Sequence, residues 1–239
     1  MADFCIHVII PVYNCKDYLE EAVNSVLKQE YERIEILLID DGSKDGSSAL
    51  CDKLAKNSDK ITVIHQENKG VSCARNTGID YILQKYQNHL DGRYIAFLDA
   101  DDAWANDFFT NASVLEFPSA DIIQFQSQRW NAAFTRCCEP VPVEEGTYAG
   151  GVDTIWRCRG QSFCAALYAC QLLEKHEIRF LEGLGYSEDV LFLRKCVSMA
   201  DSVALLSRTF YHYRNNPLSA VHIRNSGISY FEPMLKTYL

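Results

Sequence analysis

Four short apolar runs, each stopped by polar turn residues and separated from the next by a helical stripe, constrain this chain more than any other feature. Phe4 to Val12 is β-branched and apolar, and Pro11 near its end cannot extend a hydrogen-bond ladder. Ile34 to Ile39 runs into the turn-rich stretch Asp40 to Ser47, and Ile61 to Ile64 stops short of Asn68-Lys69-Gly70. Tyr94 to Leu98 ends in Asp99-Ala100-Asp101-Asp102. Between the first two runs, Tyr18, Leu19, Ala22, Val23, Val26 and Leu27 fall on one face of a helix that Asn14 or Asp17 would cap. Leu50 and Leu54 mark a second helix, and Val71, Ala74, Ile79, Ile82, Leu83 and Tyr86 a third. Strand alternating with crossover helix predicts an α/β chain with a mostly parallel, Rossmann-like central sheet and helices on both faces. In such a sheet Pro11 to Tyr13, Asp40-Asp41, Asn68 to Gly70 and Asp99 to Asp102 all reach one edge, where open α/β sheets bind ligands.

The fourth strand end carries three carboxylates in four positions. Carboxylates that close repel one another unless a cation lies between them, which makes an oxygen-preferring divalent ion the natural partner. An acidic turn with Asp102 capping a following helix is the structural alternative. No cluster of histidines on a helix competes for a transition metal.

Composition narrows the function classes. The 239 residues carry a formal charge of -9, which argues against a nucleic-acid backbone or an anionic membrane as the main partner. Ten cysteines are scattered, several inside apolar patterns (Cys5, Cys73, Cys164, Cys196), without paired C-x-x-C motifs. That usage fits reduced core residues of a cytoplasmic protein better than a disulfide framework or a zinc site. The first residues lack a secretory leader's pattern, and no apolar run reaches the ~18 residues of a membrane span.

After residue 120 the rhythm changes. Asp121 to Gln126 reads as a strand, Arg129 to Val143 as a hairpin or irregular excursion, and Phe163 to Leu173 as a strand leading into a helix. Ser187 is placed to cap a helix through Val190, Leu193, Val197 and Met199, and Ser202 to Leu206 and Phe210 to Tyr213 read as two closing strands. No linker or repeat divides the chain, so one unit is expected, and an amphipathic pattern continuing to Leu239 reads as a fragment of a longer protein.

Five blocks in order carry a resemblance to a known family: Val8 to Asn14, Asp40 to Ser47, Asn68 to Gly78, Asp99 to Asp102 and Glu188-Asp189. Together they resemble the family 2 glycosyltransferases, inverting enzymes with the GT-A nucleotide-sugar fold, over roughly residues 5 to 215, with residues 127 to 180 matching only in layout. The resemblance implies a single GT-A domain, residues 1–117 forming the nucleotide-sugar half and 118–239 the acceptor half. Pro11, Tyr13 and Asp40 would form the base pocket, Tyr13 by stacking and Asp40 by accepting the imide hydrogen of uracil. Asp41 and Gly42 would serve mainly the turn.

Arg75 lies near the buried side of its helix, so its guanidinium needs an anionic partner; the resemblance implies the nucleotide, Asp40 or Asp99, and a purely structural ion pair is the alternative. The resemblance makes Asp101 the direct ligand of Mg²⁺ or Mn²⁺, with Asp99 on the ribose or on the metal through water. It makes Asp189 the general base, since an inverting transfer needs a carboxylate opposite the leaving group. Glu188 would assist; two acids at a helix start also interact well with its dipole. Arg214 and Ser219 would close over the diphosphate, and His222 is a weaker candidate ligand.

The implied activity is a hexosyl- or N-acetylhexosaminyltransferase taking a nucleotide diphosphate sugar, with UDP the expected carrier, to a glycan or lipid-linked acceptor. The implied setting is cytoplasmic polysaccharide biosynthesis, with peripheral association at the inner membrane face. Two readings compete. A sugar nucleotidyltransferase would carry a Gly-rich basic loop where Pro11-Val12-Tyr13-Asn14 stands. A catalytically silent nucleotide-sugar-binding module would not need Asp99, Asp101 and Asp189 together.

Overall fold

A computed structural model describes residues 4–216, apart from positions 30, 107, 110–115, 118, 132, 136–139, 141–142, 159 and 185. The described strands form one mixed sheet. Its first half is parallel: β1 (Cys5–Val12) lies between β2 (Ile34–Asp41) and β4 (Arg93–Phe97), and β3 (Ile61–Gln66) flanks β2. The register pairs Val8 with Ile36 on one side and with Ala96 on the other. A strand covered on both faces and both edges has to be apolar throughout, and Ile6 to Ile10 are all buried, His7 included.

Helix α1 (Lys16–Leu27) connects β1 to β2, α2 (Ser47–Asn57) connects β2 to β3, and α3 (Val71–Lys85) carries the chain back across to β4. Parallel crossovers are right-handed, so reversing direction at β4 puts α3 on the opposite face from α1 and α2. The reversal makes the boundary between β1 and β4 a topological switch point, where the strand ends splay to leave a crevice. Gly78 lets α3 sit deep in that arrangement: a Cβ there would fall 2.7 Å from Ile9 Cγ2.

The second half completes the sheet. β8 (Ala166–Ala169) runs antiparallel to β4, followed by β6 (Ile122–Asn131), β9 (Val203–Asn215) and the two-residue β5 (Ala103–Trp104), with β7 (Gly146–Tyr148) also on β9. Helix α5 (Cys170–Lys175) packs against β4 and β8, α6 (Glu188–Met199) reaches the sheet through Phe192 on Phe97 and Tyr168, and α4 (Val152–Arg157) packs on α6.

Several expectations change here. The two closing strands are one 13-residue strand, interrupted only by a register irregularity that sets Leu205 against Gln124 and Thr209 against Gln126. β6 continues to Asn131, further than the pattern suggested, because β9 supplies a parallel partner along its length. Neither β7 nor α4 was anticipated. Helix α1 is capped by neither Asn14 nor Asp17: its first N–H groups are met across the chain, Lys16 by Asp45 Oδ2 at 3.1 Å and Cys15 by Ser47 Oγ at 3.0 Å. Ser187 does occupy the N-cap position of α6, but its side chain makes no capping bond.

Candidate active site

The loops leaving β1 and β2 are stitched into one surface. Asn14 N–H donates to Ser43 Oγ and Lys44 N–H to Asn14 Oδ1, at 3.1 and 2.8 Å. Tyr13 stands out from this surface, 53% exposed, on a rigid footing suited to receive a flat ring. Asp40 is buried beside it and accepts the Ser43 N–H at 3.1 Å through Oδ1. Its Oδ2 lies 2.8 Å from His65 Nδ1, and His65 Nε2 lies 3.1 Å from Asp52. The hydrogen bond to Asp40, then that to Asp52, raises the His65 pKa. Burial would raise the Asp40 carboxyl, but His65 and Ser43 outweigh it and the net shift is downward. Asp41 does not serve its own turn. It reaches over to the β3–α3 loop and accepts from Lys69 N, Gly70 N and Gln66 Nε2, all at 2.8–2.9 Å.

After β4, the acidic residues form a tight turn closed by the Asp102 N–H on Asp99 O at 2.9 Å. The next element is β5 rather than a helix, pairing Ala103 with His212 and Trp104 with Tyr211. Asp102 is therefore no helix cap. It is buried, accepts a 2.5 Å hydrogen bond from Tyr211 Oη and accepts the Arg214 N–H at 2.7 Å. The same Tyr211 hydroxyl receives the Asp99 N–H at 3.2 Å, so one oxygen on β9 braces both ends of the turn. Arg214 Nε donates to Asp101 O at 2.7 Å and Nη2 pairs with Glu21 on α1. Asn216 Nδ2 donates to Asp101 Oδ2 at 3.1 Å. Burial, with Asp99 second, pushes the Asp101 carboxyl upward, and the same causes raise Asp102 further.

Arg75 joins the two acidic motifs. From α3 it donates to Asp99 Oδ1 at 2.8 Å and to Glu188 Oε1, at the start of α6, at 3.2 Å. Its guanidinium lies 4.5 Å from the Phe163 ring centre and 5.2 Å from that of Phe180. Burial alone would lower its pKa, but the facing carboxylates reverse the shift, so a permanent cation is held in an aromatic slot. Of the partners expected for Arg75, Asp99 is the one found; Asp40 is engaged with His65 instead. Glu188 itself is raised by burial. Asp189, half-buried beside it, accepts its neighbour's Val190 N–H at 2.7 Å.

Sequence reasoning missed Tyr211, Glu21, His65, Phe163 and Phe180. Each meets its partner through tertiary contact, and no local pattern marks it. Ser219 and His222 lie outside the described residues.

A parallel sheet with a switch point, an acidic turn on the strand beside it and a second acidic pair brought in from the later half define the GT-A nucleotide-sugar transferase fold. The sequence profile of "Glycosyl transferase family 2" matches residues 7–136, and the chain belongs to that family. Among relatives it is 31% identical to EpsJ of Bacillus subtilis, an uncharacterized glycosyltransferase, over 91% of this chain and 63% of that one. It is 30% identical to the glycosyltransferase GlyA of Streptococcus pneumoniae, over 90% of this chain and 31% of that one. The chain thus spans less than two thirds of either relative. Among solved structures, S. aureus TarS residues 1-349 with UDP-GlcNAc superimposes at a TM-score of 0.74 and 21% identity, over 96% of this chain and 64% of that one. The Pyrobaculum calidifontis mannosyltransferase PcManGT with GDP-Man and Mn²⁺ gives 0.58 and 18%, over 87% and 56%. At those identities the likeness is one of fold. Among the described residues no helix is long and apolar enough to cross a membrane.

Proposed function

We propose that this chain transfers a hexosyl or N-acetylhexosaminyl group from a UDP-linked sugar to a hydroxyl of a glycan or lipid-linked acceptor, with inversion. The observation that carries the reading is the Arg75 bridge between Asp99 and Glu188, which ties the turn after β4 to the start of α6. In this reading Pro11, Tyr13 and Asp40 hold the base, with Asp40 accepting the imide hydrogen. Arg214, already anchored on the acidic turn, faces the diphosphate. The acceptor oxygen attacks the anomeric carbon, the bond to the diphosphate oxygen breaks, and the acceptor proton passes to the Asp189 carboxylate. The first 117 residues supply most of the donor site and the remainder most of the acceptor half, at the cytoplasmic face of a membrane where polysaccharide is assembled.

A divalent cation fits this site. Among the described residues no group of three or more His, Cys, Asp or Glu side chains forms a closed cage. Mg²⁺ and Mn²⁺ need only one or two carboxylates, with water and phosphate oxygens completing the shell. Asp101 offers one: its Oδ2 accepts from Asn216, and it lies buried beside Asp99, whose negative charge a cation would offset. Asp99, with one oxygen on Arg75, supplies an outer contact. When bound, Mg²⁺ or Mn²⁺ neutralises charge on the departing diphosphate. TarS solved with UDP-GlcNAc and PcManGT solved with GDP-Man and Mn²⁺ support the donor and cation classes.

Calorimetry with UDP tests the donor site: binding should tighten on adding Mn²⁺, and absence of binding sinks the reading. Asp189→Asn should keep that binding and lose transfer by about 10²- to 10⁴-fold, the usual worth of a general base. Wild-type transfer by the variant would move the base elsewhere.

A further inference from the structure

A groove of about 570 Å³, within the range of ligand sites, lies between α1 and the ends of β6 and β9. One wall is the polar face of α1, where Asp17, Glu20 and Asn24 recur at helical spacing. Opposite stand Trp130, Phe134 and His212. Trp130 and His212 are 4.8 Å apart between ring centres, and Trp130 and Phe134 6.2 Å at 84°, so the rings form a continuous aromatic wall. Asp17 and Glu20 are exposed and make no ion pair or hydrogen bond among the described residues, which leaves their oxygens available. The indole N–H of Trp130 is buried and has no acceptor among the described residues, so it is the face of the ring, not its N–H, that the groove presents.

The groove adjoins the candidate active site through one side chain. Arg214 stacks 3.8 Å from the Phe134 ring centre, pairs with Glu21 of the groove and holds the Asp101 carbonyl. We infer that this groove is a binding subsite for a neutral glycan, the non-reacting part of the acceptor; its acceptor role rests on the function proposed above. Aromatic faces take up the apolar C–H faces of pyranose rings, while carboxylates and an amide accept hydroxyl hydrogens. With Glu21 paired to Arg214, Asp17 and Glu20 against the single Lys28 still disfavour an anionic polymer. The groove thereby selects among acceptors on charge.

The test uses the full chain with chitohexaose and maltohexaose as neutral probes and hexagalacturonate as the anionic one, read by calorimetry and tryptophan fluorescence. At least one neutral probe should bind, and Trp130→Ala and Glu20→Gln should each weaken it by about tenfold, equivalent to 1.4 kcal/mol. UDP binding with Mn²⁺ should stay within about twofold, because neither residue touches the donor pocket. Glu20 is exposed on α1, so Glu20→Gln reports even if Trp130→Ala fails to fold. No neutral-probe binding at millimolar concentration, unchanged affinity in Glu20→Gln, or preference for hexagalacturonate overturns the inference. If UDP fails to bind while Glu20→Gln still weakens the neutral probe, the proposed function falls and the glycan groove stands.

Discussion

The two halves of the sheet build the site in different ways. In the parallel half, the contributing residues leave the ends of their strands, Arg75 on α3 excepted, and neighbouring loops brace one another through short side chains such as Asn14, Ser43 and Asp45. The mixed half contributes single long-range contacts: Tyr211 and Arg214 from β9, and Glu188 from α6, each more than 100 residues from its partner. The parallel half supplies the acidic turn, the proposed base pocket and Arg75. The later half supplies supports that fix the turn's conformation. A Rossmann-like half therefore forms the binding edge by topology alone, whereas its acidic turn is shaped by a strand that could not be paired with it from sequence.

The largest test of that dependence is Arg75→Met. It leaves Asp99 and Glu188 facing each other without the cation and should cost about 3 kcal/mol in denaturant unfolding, at the lower end for breaking a buried pair because Asp99 is partly exposed. Near-wild-type stability would mean the halves do not rely on each other here. Gly78→Ala probes the parallel half alone: the added methyl meets Ile9 at 2.7 Å and should destabilise by about 1–3 kcal/mol despite the gain in helix propensity.

Tyr211→Phe probes the support from β9. Losing one hydroxyl from both ends of the acidic turn should cost about 1–2 kcal/mol and weaken the Mn²⁺ dependence of UDP binding more than UDP binding without metal. If stability drops but the metal dependence does not change, β9 braces the fold and not the site.

The smallest effect belongs to His65. Its folded pKa is raised, so its interaction with Asp40 stabilises fully below about pH 6.5 and fades as pH rises through the folded value. The stability difference between wild type and His65→Gln should therefore shrink from pH 6 toward pH 9. Because the His65 side chain is 42% exposed, the difference at its largest should stay within about 1 kcal/mol. A difference that grows with pH would reverse the assignment.

Sequence alone determined the parallel half. Apolar runs, helical stripes and turn residues are local signals, and β1, β2, β3 and β4 fall where those signals place them. It also put Pro11 to Tyr13, Asp40-Asp41, Asn68 to Gly70 and Asp99 to Asp102 at one edge, because strand ends in a parallel sheet have nowhere else to go. Tertiary structure decided what those residues do to one another. It gave Arg75 to Asp99 and Glu188 rather than to Asp40, sent Asp41 to the neighbouring loop, and turned Asp102 from a presumed helix cap into the buried anchor for Tyr211 and Arg214. The reason is physical: a strand or helix is specified by residues a few positions apart, whereas a buried charge takes whichever partner the packed chain brings within hydrogen-bond reach.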